Sequence, residues 1–181
     1  MGYYIFVDNS NVWIEGQYAS AVFNKQANNM AEAHDNNIKD NNWRIDFGKL
    51  LNLITEGNLT DIKKALLVGS TPPSADSLWK CAENKGFEVA CKPRNAGNKE
   101  KGIDTELVHQ IAECLYTKAE DGDIFILVAG DRDFMPSIQG IRKKNITAKL
   151  AFWDNVSTEL RDEADDFISL TKNIQTISLT I

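Results

Sequence analysis

The sequence predicts an α/β domain: a mainly parallel sheet covered by helices on both faces, in three layers. Two observations carry this. Short, continuously apolar runs recur at residues 3–7, 65–69 and 124–129, and a strand buried on both faces reads as an unbroken apolar run. Between them lie segments of helical periodicity, and strands alternating with helices build parallel sheets. A chain of 181 residues is long enough for one such domain with a substantial core.

The elements follow in order. Residues 3–7 make the first strand, and Asp8-Asn9-Ser10-Asn11 behind it is a run of turn-forming side chains that reads as a loop. Residues 24–42, rich in Asn and Ala, interrupt the chain between Phe23 and Trp43. They read as an extended loop or irregular helical insertion, hydrophilic enough to be mobile. Residues 65–69 form a second strand, broken by Ser70-Thr71-Pro72-Pro73, with a helix over 74–85 that Gly86 stops. A third strand occupies 87–91. Over 104–118, Leu107, Val108, Ile111 and Leu115 share one helical face. Residues 124–129 form the fourth strand, followed by a helix over 133–144, a strand over 148–153, a helix over 157–165 and a short strand over 167–170. The domain therefore spans 1–170. In the tail, 171–181, the alternation over 176–181 suits an edge strand that pairs within the molecule or with a second copy in a homodimer.

Composition narrows the function. Hydrophobic content of 43% and charged content of 25% are those of a soluble globular protein. No apolar run approaches the ~20 residues of a membrane span, and no signal peptide is evident, which places the chain in the cytoplasm without a membrane partner. Cys81, Cys91 and Cys114 are odd in number and lack ligand spacing, so they read as reduced structural thiols. A net charge of −6 argues against a general nucleic-acid coater but permits an enzyme with a local basic patch. His34 and His109 form no pair for histidine catalysis.

Chemistry concentrates in three acidic marks: Asp8 after the first strand, Asp104 at the start of a helix, and Asp131 and Asp133 in Gly130-Asp131-Arg132-Asp133-Phe134 after the fourth strand. Each alone serves equally as a turn residue or helix cap. In open α/β sheets, however, ligands sit beyond the carboxyl ends of strands where strand order reverses, and that edge is where these acids converge. Two unit charges about 4 Å apart repel by roughly 4 kcal/mol at an effective dielectric near 20, so gathered carboxylates call for a cation. Oxygen donors suit Mg²⁺ or Mn²⁺ rather than zinc, and such an ion can activate water against a phosphoryl group. Asn11 adds an amide to the same place. The basic stretch from Lys92 to Gly102 contains Arg94, Lys99 and Lys101 and leads into Asp104, where it could hold backbone phosphates. It is not a P-loop. Trp79 and Trp153 read as core; Trp13 and Tyr18 are the aromatic candidates for substrate contact.

Together, Phe6-Val7-Asp8-Asn9-Ser10-Asn11, Lys101-Gly102-Ile103-Asp104, Leu127-Val128-Ala129-Gly130-Asp131-Arg132-Asp133-Phe134 and Ser157-Thr158-Glu159-Leu160 running into Ala164-Asp165-Asp166-Phe167 resemble the NYN domain family. That family is a branch of the PIN-like nucleases that includes the LabA-like proteins. The resemblance runs from Tyr3 to about Leu170. It implies a sheet of order 3-2-1-4-5 and a divalent-metal-dependent endoribonuclease, with RNA as partner. It further implies that Asp8, Asp104 and Asp131 bind Mg²⁺ or Mn²⁺ with support from Asp133, that Asn11 lies in the same pocket, and that Ser10 and Ser157 lie near the substrate. The insertion at 24–42 departs from the compact family pattern.

Two other classes compete with hydrolysis. A non-catalytic RNA- or nucleotide-binding regulatory module could use the same pocket. A phosphatase of the haloacid-dehalogenase kind would need its Asp-x-Asp after the first strand, where this chain has Asp8-Asn9-Ser10, and a phosphoacceptor receiver would need an aspartate where the third strand ends at Cys91-Lys92.

Overall fold

The computed structural model describes residues 1–71, 76–93 and 102–179. Its strands are β1 (Tyr3–Asp8), β2 (Ile62–Thr71), β3 (Glu88–Pro93), β4 (Ile124–Val128), β5 (Thr147–Phe152) and β6 (Asp166–Ser169). Every residue of β1 is buried because the strand is flanked on both edges, by β2 and by β4. The sheet has the order β3-β2-β1-β4-β5-β6 and all its pairings are parallel. The expected order of five strands holds, and the short final strand extends it to six.

The helices are α1 (Asn9–Phe23), α2 (Met30–Asp35), α3 (Phe47–Ile54), α4 (Asp76–Glu83), α5 (Ile103–Thr117), α6 (Met135–Lys143), α7 (Thr158–Glu163) and α8 (Ile174–Ile177). The two-residue period of β1 divides the core between them. Tyr3, Ile5 and Val7 pack with α1, α3, α4 and α8, whereas Tyr4 and Phe6 pack with α5, α6 and α7. Full burial of side chains such as Ile5 and Phe6 is worth about 1.5–3 kcal/mol each, so the central strand is a fixed platform for whatever its end carries.

Three sequence expectations change, and one helix is added. The loop after the first strand is instead the start of α1, because the Asp8 side chain accepts a hydrogen bond from the Asn11 N–H (3.1 Å) and caps the helix. The region between the insertion and β2 holds α3, capped by Asp46. The insertion is helical, as one of its two readings had it, but it is also tied down. Tyr18, Ala27 and Ala33 form a small apolar cluster of their own, and Ser20 and Asn24 both donate to Asp40 (2.6 and 3.1 Å). The tail forms α8 rather than an edge strand of the sheet, since Ile174 and Ile177 are buried three residues apart, a helical spacing. Ser178 then makes one antiparallel bridge to Ile45, so the tail pairs within the molecule but away from the sheet. No helix among the described residues is long and apolar enough to cross a membrane.

Candidate active site

Parallel crossovers determine where a crevice opens. After β1 the chain turns into α1 on one face of the sheet, while after β4 it passes through a 3₁₀ turn (Arg132–Phe134) into α6 on the other. Because β1 and β4 are neighbours, the chain diverges between their carboxyl ends, which is the switch point where such sheets bind ligands. Asp8 is the last residue of β1, and Asp131 stands three residues beyond the end of β4. Helix α5, whose second residue is Asp104, packs on β1 and β2 and touches the 3₁₀ turn. Helix α5 thus touches both the strand that ends in Asp8 and the turn that holds Asp133.

Local sequence holds these acids in place. Asp8 is buried and caps α1, while half-exposed Asp131 caps the 3₁₀ turn by accepting from the Asp133 N–H (2.9 Å). Both cap bonds fall on Oδ1. Gly130 precedes Asp131 because the Phe152 ring from β5 lies over it: a Cβ there would stand 2.1 Å from Phe152 Cε1. Gly102, at φ +79°, supplies the left-handed turn that admits α5. Asp104 and Asp133 are exposed.

The other expected residues divide. Ser10 is buried at the start of α1, and Asn11 is half-buried; the contact seen for Asn11 is made by its backbone N–H. Ser157 caps α7 by accepting from the Leu160 N–H (3.3 Å). Arg94, Lys99 and Lys101 lie outside the described residues. Lys92, from the same basic stretch, pairs with Glu106 of α5 at 2.7 Å, and this bond is the leading reason the Glu106 carboxyl is held below its ordinary range. Of the aromatic candidates, Tyr18 is buried against His34 and bonds Asn37, so it anchors the insertion. Trp13 is half-buried, with the Arg44 guanidinium over its ring. Trp79 and Trp153 are core, as expected.

The structure adds a contact that sequence reasoning passed over. Arg132, between Asp131 and Asp133, forms an ion pair with Glu159 in the first turn of α7, and both side chains are 61% exposed. The motif names both residues, but nothing in the spacing announces that they meet.

A family model, the NYN domain, matches residues 4–171. The chain belongs to the NYN domain family. The match covers both strands that flank the crevice and places the chain within a PIN-like nuclease family. Curated proteins give no match. Among solved structures, this NYN domain is similar to a protein of unknown function from Vibrio parahaemolyticus. The TM-score is 0.68 at 18% identity, over 98% of this chain and 96% of that one, a likeness that concerns the fold.

The donor set of this NYN domain suits a hard divalent cation, since all four acids offer carboxylate oxygens. Among the described residues, no group of three or more His, Cys, Asp or Glu is gathered closely enough to hold a metal ion. That is compatible with Mg²⁺ chemistry, which typically uses one or two carboxylates, retained waters and substrate phosphates rather than a cage made wholly of protein.

Proposed function

We propose that this chain is a divalent-metal-dependent endoribonuclease that hydrolyses RNA phosphodiester bonds in the acidic crevice, acting in the cytoplasm. The observation that carries the reading is the position of Asp8 and Asp131: they follow the two adjacent strands that bound the switch point, in a chain of the NYN family. Asp8 and Asp131 would hold Mg²⁺ or Mn²⁺, with Asp104 and Asp133 completing the acidic surround. Such an ion supplies a water of lowered pKa and positive charge beside a phosphoryl oxygen. The residues of the chain do the rest. The two capped carboxylates need no reorganisation when substrate arrives, because their backbones end a buried strand and a turn seated under Phe152. Asn11, Ser10 and Ser157 would orient the sugar-phosphate, and Arg94, Lys99 and Lys101 would fix its register.

The test is cleavage of single-stranded and structured RNA with Mg²⁺ or Mn²⁺ by the wild type, Asp8→Asn and Asp131→Asn. Asparagine caps helices as well as aspartate does, so folding survives while turnover falls by about 10²–10³, the range that loss of one preorganised electrostatic group costs. Cleavage at the wild-type rate by both variants would rule the mechanism out.

A second reading, a non-catalytic module that binds RNA or a nucleotide in the same crevice, has one observation in its favour: the absence of a three-acid cluster among the described residues. RNA retained without turnover in the same assay would select it.

A further inference from the structure

We infer that Arg132 is a phosphate-binding residue of the crevice and that Glu159 occupies its guanidinium when no RNA is bound. The inference rests on the nuclease reading and names a substrate contact that reading leaves unassigned.

Arg132 leaves the chain between Asp131 and Asp133, four residues beyond the end of β4. No residue there could follow those acids more closely. Its guanidinium is a planar, permanently charged group whose geometry matches a phosphate as well as a carboxylate. A residue kept only as a strut would normally be packed, and this one is not. Arg132 and Glu159 are each 61% exposed, and ion pairs of such exposure contribute little to stability. A partner so weakly held is readily exchanged for a phosphate that brings charge and several acceptor oxygens. The cation at the far side of the same edge differs. Lys92 is the penultimate residue of β3, two strands from β1, and its pair with Glu106 is less exposed (39% and 22%) and fixed further by Gln110, which donates to the same carboxylate (3.1 Å). Lys92 is built in; Arg132 is on loan to Glu159.

Binding of a fluorescein-labelled oligouridylate, followed by anisotropy with Ca²⁺ in place of Mg²⁺, separates substrate contact from strut. Arg132→Ala should weaken binding by about tenfold, the loss expected for one charge-assisted contact. It should also reduce the slope of log K against log salt by about 0.7, the single-strand value per phosphate contact. Glu159→Gln should act in the opposite direction, tightening binding about two- to fivefold by freeing the guanidinium from a surface pair. Arg132→Lys should recover part of the affinity. If Glu159→Gln weakens binding as Arg132→Ala does, the pair is a strut that positions the turn. The inference then fails while the nuclease reading stands. If neither variant changes binding, the inference also fails. A wild type that binds no RNA overturns both. Thermal unfolding of each variant checks that these exposed substitutions leave the fold intact.

Discussion

The two ends of the sheet each carry conspicuous aspartates, and they treat them differently. At the amino end, Asp123 lies just before β4 and is 1% exposed. Its carboxylate accepts from the Gly2 N–H (2.8 Å), the Glu120 N–H (3.0 Å) and Lys63 Nζ (2.9 Å). Asp165, before β6, is tied in the same way, to the Ala148 N–H and the Arg142 guanidinium. These acids serve structure: each closes a junction between strands and is paired with a cation. At the carboxyl end, Asp8 and Asp131 each cap the segment that follows through Oδ1, and they stand where the central neighbours β1 and β4 send the chain to opposite faces of the sheet. A cavity of about 830 Å³ does open at the amino end, lined in part by Arg142, Glu163 and Asp165, but both of those acids are already paired with Arg142. Size alone would misplace the chemistry. The lesson is that an acid is read by how its charge is answered and by where the topology sets it.

The contrast can be broken first at the amino end. Asp123→Ala leaves two backbone N–H groups without their acceptor and Lys63 with Glu120 alone, and should cost about 3 kcal/mol in urea unfolding, with no effect on metal or RNA binding per folded molecule. Its pH dependence has a defined sign. Burial pushes the Asp123 carboxyl up, but the bonds from Glu120, Lys63 and Gly2 outweigh it, so the folded value lies below the ordinary one. Its stabilising contribution is therefore full above the unfolded aspartate value of about 3.9 and is lost as pH falls through the lower folded value. Asp123→Ala should lack that acid-sensitive component. An unfolding curve unchanged from wild type would place the charge matching elsewhere.

A smaller effect sharpens the carboxyl end. Gly130→Ala drives a methyl into Phe152, an overpacking that typically costs 1–3 kcal/mol, about 2 here. Because Asp131 is the next residue, cleavage should fall further than stability does. Shortening the ring with Phe152→Leu in the same chain should restore part of both. If Gly130→Ala cleaves normally, Asp131 is not held by this contact.

How much of this was readable in advance follows the same division. Strands β1 and β4 announced themselves because burial on both faces leaves continuous apolar runs, and the acids at their ends followed directly. Helix α1 did not. It begins with Asn9, Ser10 and Asn11, all turn formers, and it is buried on nearly every side, Ser20 and Gln17 included, because α2 packs on α1 where solvent would otherwise lie. A helix covered all round shows no amphipathic stripe to detect. The insertion's composition reads as solvated, yet Ala27 and Ala33 find Tyr18 through a contact that no local rule predicts. Asp123 carried no motif, since its partners Gly2 and Lys63 are remote in sequence. The pairing of Arg132 with Glu159 was hidden for the same reason: it joins two turns that only the sheet brings together.

The central claim is that the carboxyl end of this sheet holds a divalent cation through Asp8 and Asp131. Titration with Mn²⁺, followed by the loss of its free-ion electron paramagnetic resonance signal, tests this without reference to any substrate. Wild type and Asp123→Asn should bind Mn²⁺ alike, whereas Asp8→Asn and Asp131→Asn should each bind it at least about tenfold more weakly. Binding that survives in the Asp8→Asn/Asp131→Asn double variant, or that is lost with Asp123→Asn alone in a folded protein, would contradict the assignment.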